Sequence, residues 1–172
     1  MKKMSLIVAV AAMVCAAVSC STYECEIQSP GENWVENTNR IPKFEKEFHV
    51  KAAAENTASH SAAAGLLIEE TSFFGGSVDG VVDDLKCSFQ RSDLYKGASM
   101  RFAGKKELNG VSWNILELTF AVKDISMHQD FYLTRKGNRV FTVLYSAAGD
   151  DNYRKYLPDF IAMMKKVKFI SK

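Results

Sequence analysis

The chain has 172 residues, 22 Lys+Arg against 20 Asp+Glu, three histidines and four cysteines. That length suits one ordinary domain, able to bury a core without metals. The balanced charge lacks the basic surplus or stripe of a nucleic-acid binder, so no nucleic-acid partner is expected.

Met1-Lys2-Lys3 is a short cationic start, and Met4–Val18 then run for 15 residues without a charge. A spanning helix needs roughly 20 apolar residues. A run this short fits the apolar core of a secretory signal peptide. It ends in Ala17-Val18-Ser19-Cys20, small residues followed directly by cysteine. That ending resembles the lipobox of bacterial lipoproteins, in which diacylglycerol is attached to the cysteine sulfur. Ala17 departs from it, since the family usually has Leu, Val or Ile there. Residues 1–19 therefore read as signal peptide and Cys20 as the lipidation site. Cleavage at the same point without lipid is the alternative. Ser21, by resemblance to enteric lipoproteins, permits transport to the outer membrane.

Cleavage removes Lys2 and Lys3 and no acid, leaving 20 cations and 20 acids on 153 residues. Cys20, Cys25 and Cys87 remain. An oxidising compartment favours thiol pairing. With lipid on Cys20, the expected bridge is Cys25–Cys87, closing a 62-residue loop. Such a bridge contributes up to about 4 kcal/mol in the chain-entropy account. Two reduced thiols are the alternative.

Residues 20–42 read as a lipidated N-terminus and tether, polar, with a turn at Pro30-Gly31 and a short strand beginning at Trp34-Val35. A single α+β domain is expected over 43–172. "KFEKEFHVK" (43–51) alternates, with Phe44, Phe48 and Val50 against Lys43, Glu45 and His49, which predicts a strand. The Ala/Ser-rich stretch 52–65 reads as a loop, a weak helix being the alternative. "LLIEETSFF" (66–74) predicts another strand. Ser77 suits a helix N-cap, and Val78, Val81, Val82, Leu85 and Phe89 form one helical stripe. Cys87 lies off that stripe.

From residue 99 the pattern is a four-stranded meander: 99–107, 111–122, 128–135 and 140–147. Asn109-Gly110 and Lys136–Arg139 supply tight turns. In 111–122, Trp113 and Ile115 are out of phase with Leu116, Leu118 and Phe120. That predicts a bulge or a strand buried on both faces. A final helix over 150–166 carries Tyr153, Tyr156, Leu157, Phe160, Ile161 and Met164 on one stripe. Pro158 either kinks it or opens the main helix after a separate turn. "VKFI" (167–170) can add a closing strand. The order predicts an α+β fold with two helices packed on an antiparallel sheet.

"FYLTRKGNRVFTVLYSAAGDDNYRKYLPDFIAMMKKVKF" (131–169) resembles the C-terminal half of the PsbP-like proteins, whose bacterial relatives include periplasmic lipoproteins of the DcrB kind. The resemblance is clearest over residues 111–170 and rests on structural motifs. It implies an α/β/α sandwich and an accessory, partner-binding role without shared catalytic residues.

The residues themselves offer little chemistry. "GGSVDG" (75–80) lacks the second glycine of a nucleophile elbow. His128 and Asp130 share a strand face with Tyr132 and Thr134, read here as a solvated polar face. Two ligands there are too few for a metal. No catalytic residue, metal or cofactor is expected. A ligand face, if present, is expected where Trp113, Tyr132 and Tyr145 fall on one side of the meander.

The expected role is thus a non-enzymatic, protein-binding lipoprotein of the bacterial cell envelope. It is anchored to a membrane through its N-terminal lipid and faces the periplasm or the cell exterior. A carrier of a small hydrophobic ligand or lipid is the alternative, and it predicts an open apolar pocket between helix and sheet. An envelope hydrolase comes third.

Overall fold

The computed structural model describes residues 23–38, 44–51, 62–70, 77–122 and 124–171, with backbone alone at 63–70 and 94. Residues 1–19, Cys20 and 52–61 lie outside the described residues, and residues 62–65, expected as the end of a loop, are strand instead. In chain order the elements are β1 (Tyr23–Glu26), β2 (Trp34–Glu36), β3 (Lys46–Val50), β4 (Ala62–Glu70) and α1 (Val78–Arg91). Then come β5 (Ser99–Leu108), β6 (Val111–Val122), β7 (Ile125–Lys136), β8 (Arg139–Ala148), α2 (Asp150–Met164) and β9 (Lys168–Ser171).

The meander forms as its turn residues dictate. Asn109 and Gly110 take φ of 52° and 70°, the paired positive values of a two-residue turn that matches strand twist. Gly137, at φ 59°, starts the turn from β7 to β8. β4 pairs with β8, and β3 and β2 follow, giving the antiparallel order β2-β3-β4-β8-β7-β6-β5. The fold class is α+β, as expected. β6 also resolves its conflicting phases as one of the two anticipated outcomes. Val111, Trp113 and Ile115 are buried on one face, and Leu116, Leu118 and Phe120 on the other. The register shift lies in β5 instead, between Phe102 and Gly104.

Each helix covers one end of one face. α1 is capped by Ser77, whose Oγ accepts from the Gly80 amide at 3.0 Å. Its Val82 and Phe89 pack on Leu116, Leu118, Phe120, Phe131, Leu133 and Val140. On the opposite face, Phe160, Met163 and Met164 of α2 pack on Trp113, Ile115, Tyr132, Phe141, Val143 and Tyr145. α2 stays helical through Pro158, so Pro158 does not open a separate helix. The carbonyl that loses a partner there is Arg154's, and both residues are exposed, so water can serve it. Among the described residues, no helix is long and apolar enough to cross a membrane.

The N-terminal reading needs correction. Residues 23–38 belong to the domain and are not a tether ending at 42. β1 pairs with β9 from Tyr23↔Ser171 to Glu26↔Lys168, and Ile27 and Trp34 are buried in the α2-side core. The Trp34 indole also donates to Asp159 on α2 at 3.1 Å. β1 therefore begins three residues after Cys20 in the sequence.

Candidate functional site

The expected residues scatter. Trp113, Tyr132 and Tyr145 do share one face of the meander, but it is the face under α2. They are 0%, 4% and 0% exposed. Phe160 stacks on Tyr145 at 5.0 Å and meets Tyr132 edge-on at 5.2 Å, and Phe169 lies against Trp113. These aromatics are core and present no surface to a ligand.

The Cys25–Cys87 bridge is likewise absent, and both thiols are free. Cys25 sits in β1 opposite Phe169 and packs against the α2-side core, whereas Cys87 is exposed on α1, across the sheet. Burial pushes the Cys25 thiol up to about 12, with Glu26 adding to the effect. Because the thiolate is the reacting species, a maleimide at pH 7.5 should modify Cys87 at least about tenfold faster than Cys25. Peptide mapping of the folded protein checks this. Equal rates, or protection of both thiols, would contradict the arrangement.

The polar residues do gather, at the α2 N-terminus. Asp130 and His128 point to one face as expected, but that face is covered, not solvated. Asp130, Tyr132 and Thr134 are all buried. Antiparallel pairing sets Glu117 beside Asp130 and Arg101 beside Glu117. From above, the Tyr153 hydroxyl donates to Asp130 Oδ2 at 2.7 Å. His128 Nε2 lies 2.6 Å from Asp150 Oδ1, and its ring lies 4.8 Å from that of Tyr153. Tyr145 completes the fastening by donating to the Tyr153 carbonyl at 2.8 Å. Desolvation raises Asp130 to about 6, against the opposing hydrogen bond from Tyr153; Glu117 raises it further.

Sequence reasoning missed Arg101, Glu117 and Tyr153 as members of this cluster. The usable signal was phase, since Asp130 shares the parity of Tyr132, which belongs to the buried face.

The cluster resembles a catalytic relay only superficially. Ser126 Oγ and Asp150 Oδ1 both approach the same nitrogen, His128 Nε2, at 3.3 and 2.6 Å. A relay needs nucleophile and acid on opposite ring nitrogens. Thr119 Oγ1 faces Nδ1 only at 3.5 Å. What the arrangement does is fasten α2 to the sheet. On the opposite sheet face, buried Glu47 meets His49 at 3.1 Å and accepts from Asn37 at 3.0 Å. Among the described residues no group of three or more His, Cys, Asp or Glu side chains could hold a metal ion.

A groove of about 400 Å³ lies between β1 and the start of β3, lined by Glu24, Cys25, Glu26, Ile27, Gln28, Glu45 and Lys46. Five of these seven residues are charged or polar, and the groove does not lie between helix and sheet.

No family model matches the chain. No curated protein matches it either. Solved structures do. LpqN of Mycobacterium tuberculosis, described as involved in cell envelope biogenesis, superposes with a TM-score of 0.58 at 11% identity, over 87% of this chain and 85% of that one. The cyanobacterial PsbP (CyanoP) of Synechocystis sp. PCC 6803 superposes with a TM-score of 0.53 at 13% identity, over 89% and 95%. The chain thus shares the PsbP-like fold anticipated from residues 131–169.

Proposed function

We propose that this chain is an exported lipoprotein of the bacterial cell envelope, held to a membrane by diacylglycerol on Cys20. Its domain acts without catalysis, by binding or scaffolding another envelope protein. The observation that carries the reading is the sequence from Lys2 to Cys20: cationic start, short uncharged run, small residues, cysteine. The fold it shares with an envelope-biogenesis protein supports the compartment. The His128 cluster, with two partners on one nitrogen, supports a role outside catalysis. The aromatic packing under α2 weighs against a carrier with an apolar pocket between helix and sheet.

The test is fractionation followed by affinity capture from detergent-solubilised envelopes, with wild type beside Cys20→Ala. The wild-type protein should sediment with membranes and carry a diacylglycerol mass on its first residue, and the variant should lose both. A defined protein should co-purify with the wild type. An unmodified N-terminus would refute the anchor, and capture of no protein by either form would refute the binding role.

A further inference from the structure

Resting on the lipid-anchor reading above, we propose that one end of the domain lies on the anionic headgroups of the membrane that holds Cys20. This is the end carrying the β5–β6 and β7–β8 turns and the β1/β9 ribbon.

The first argument is chain length. Only Ser21 and Thr22 separate Cys20 from Tyr23. Three residues reach at most about 11 Å when fully extended. A headgroup layer is itself roughly 5–8 Å deep. Tyr23 cannot swing away from the domain to lengthen this link. It pairs with Ser171, and its carbonyl accepts from Arg139 Nη1 at 3.4 Å. An acyl chain on Cys20 therefore draws the Tyr23 end of the domain onto the bilayer surface.

The second argument is charge. Antiparallel pairing sets the β5–β6 and β7–β8 turns at one end of the sheet, and α2, running back from β8, finishes at that end. The Asn109 amide donates there to the Val167 carbonyl at 3.2 Å, and Lys136 lies over Phe169 at 5.5 Å. Lys106, Arg135, Lys136, Lys165, Lys166 and Lys168 gather at this end, all but the half-buried Lys136 exposed. The acids on the strands at this end are Glu24, Glu26 and Glu107, with Glu69 and Glu70 of β4 set opposite Val140 and Arg139. The opposite end, at the β6–β7 turn and the start of α2, presents exposed Asp124, Asp150 and Asp151 together with exposed Arg101 and Arg154. Cations thus outnumber acids where the anchor enters, whereas the far end is mixed. Basic residues this close to an anionic leaflet are attracted to it within about a Debye length.

The third argument is apolar. Ile170 on β9 faces outward beside this entry point and is 42% exposed, one residue from Tyr23's partner Ser171. A lone aliphatic group at headgroup level gains burial there.

The experiment uses the acylated full-length protein in a Cys87→Ser background, reconstituted into vesicles of phosphatidylcholine with 30% phosphatidylglycerol by design. An environment-sensitive fluorophore is placed at Ile170→Cys or at Asp151→Cys, and spin-labelled headgroup lipid is the quencher. Flotation reports anchoring separately from orientation. The probe at 170 should be quenched at least about threefold more than the probe at 151, and Arg135→Glu with Lys168→Glu should cut that difference to the smaller one that the short tether alone gives on pure phosphatidylcholine. Floating protein with equal quenching at both sites overturns the orientation and leaves the anchor standing. A difference undiminished by the charge reversals, or equally large on pure phosphatidylcholine, overturns the anionic-headgroup contact. Failure to float overturns the anchor and this proposal together.

Discussion

Phe160→Ala is expected to cost about 3–5 kcal/mol of folding stability, the usual range for removing a fully buried aromatic ring. Phe160 is 0% exposed and is the central contact between α2 and the sheet. Its ring stacks on Tyr145 at an interplanar angle of 22° and meets Tyr132 at 61°. Met163, Met164 and the Ile115–Tyr132 pair surround the space it would vacate. A neighbouring helix and a paired sheet cannot both collapse into that space, so the cavity term stays large. Domains of this size have only about 5–15 kcal/mol in total, so the variant should be close to unfolding at body temperature. Urea denaturation followed by tryptophan fluorescence measures the loss, and Phe160→Leu should restore about half of it. A loss under about 1 kcal/mol would mean that α2 is not docked as described.

Asp130→Asn should raise stability at neutral pH and flatten its pH dependence. Asp130 is 5% exposed, and burial lifts its pKa to about 6, well above the ordinary carboxylate range. A carboxyl raised on folding binds protons more tightly in the native state, so stability falls as pH rises from the unfolded value through the folded one. The fully charged form thus costs on the order of 3 kcal/mol above pH 7. Between pH 7 and pH 5 the native protein should gain about 1 kcal/mol from this group. Asparagine keeps an acceptor for the Tyr153 hydroxyl and carries no charge to desolvate. Urea midpoints of both proteins at the two pH values give the difference. Parallel pH slopes for wild type and variant would refute a buried, charged Asp130.

The meander was legible because its signals are local. Asn109-Gly110 and the Lys136–Arg139 turn set the registers, and alternation from Leu116 to Phe120 set one buried face. β1 was not legible for the opposite reason. Tyr23-Glu24-Cys25-Glu26 is four residues long and half acidic, and its partner strand begins at Lys168, far along the chain. Nothing near residue 23 announces that Tyr23 and Cys25 will turn inward against Phe169. The polar cluster failed differently. Strand parity placed His128 and Asp130 together, but whether their face is wet depends on where α2 lands. That is decided by Phe160 meeting Tyr145, a contact between elements that no spacing rule links. The disulfide expectation rested on compartment and parity, and it failed on topology, since the sheet stands between the two thiols.

The ribbon of β1 with β9 also governs when the domain can be finished. Tyr23 and Ser171 are neighbours in space, yet nearly the whole chain lies between them. Loop closure over such a span is slow to find and comes late. Until β9 has been made, Phe169 cannot cover Trp113 and Phe141, and Tyr23 and Cys25 have no strand to pair with. β1 must wait for β9, so the α2-side core closes only after α2 and β9 have both been made.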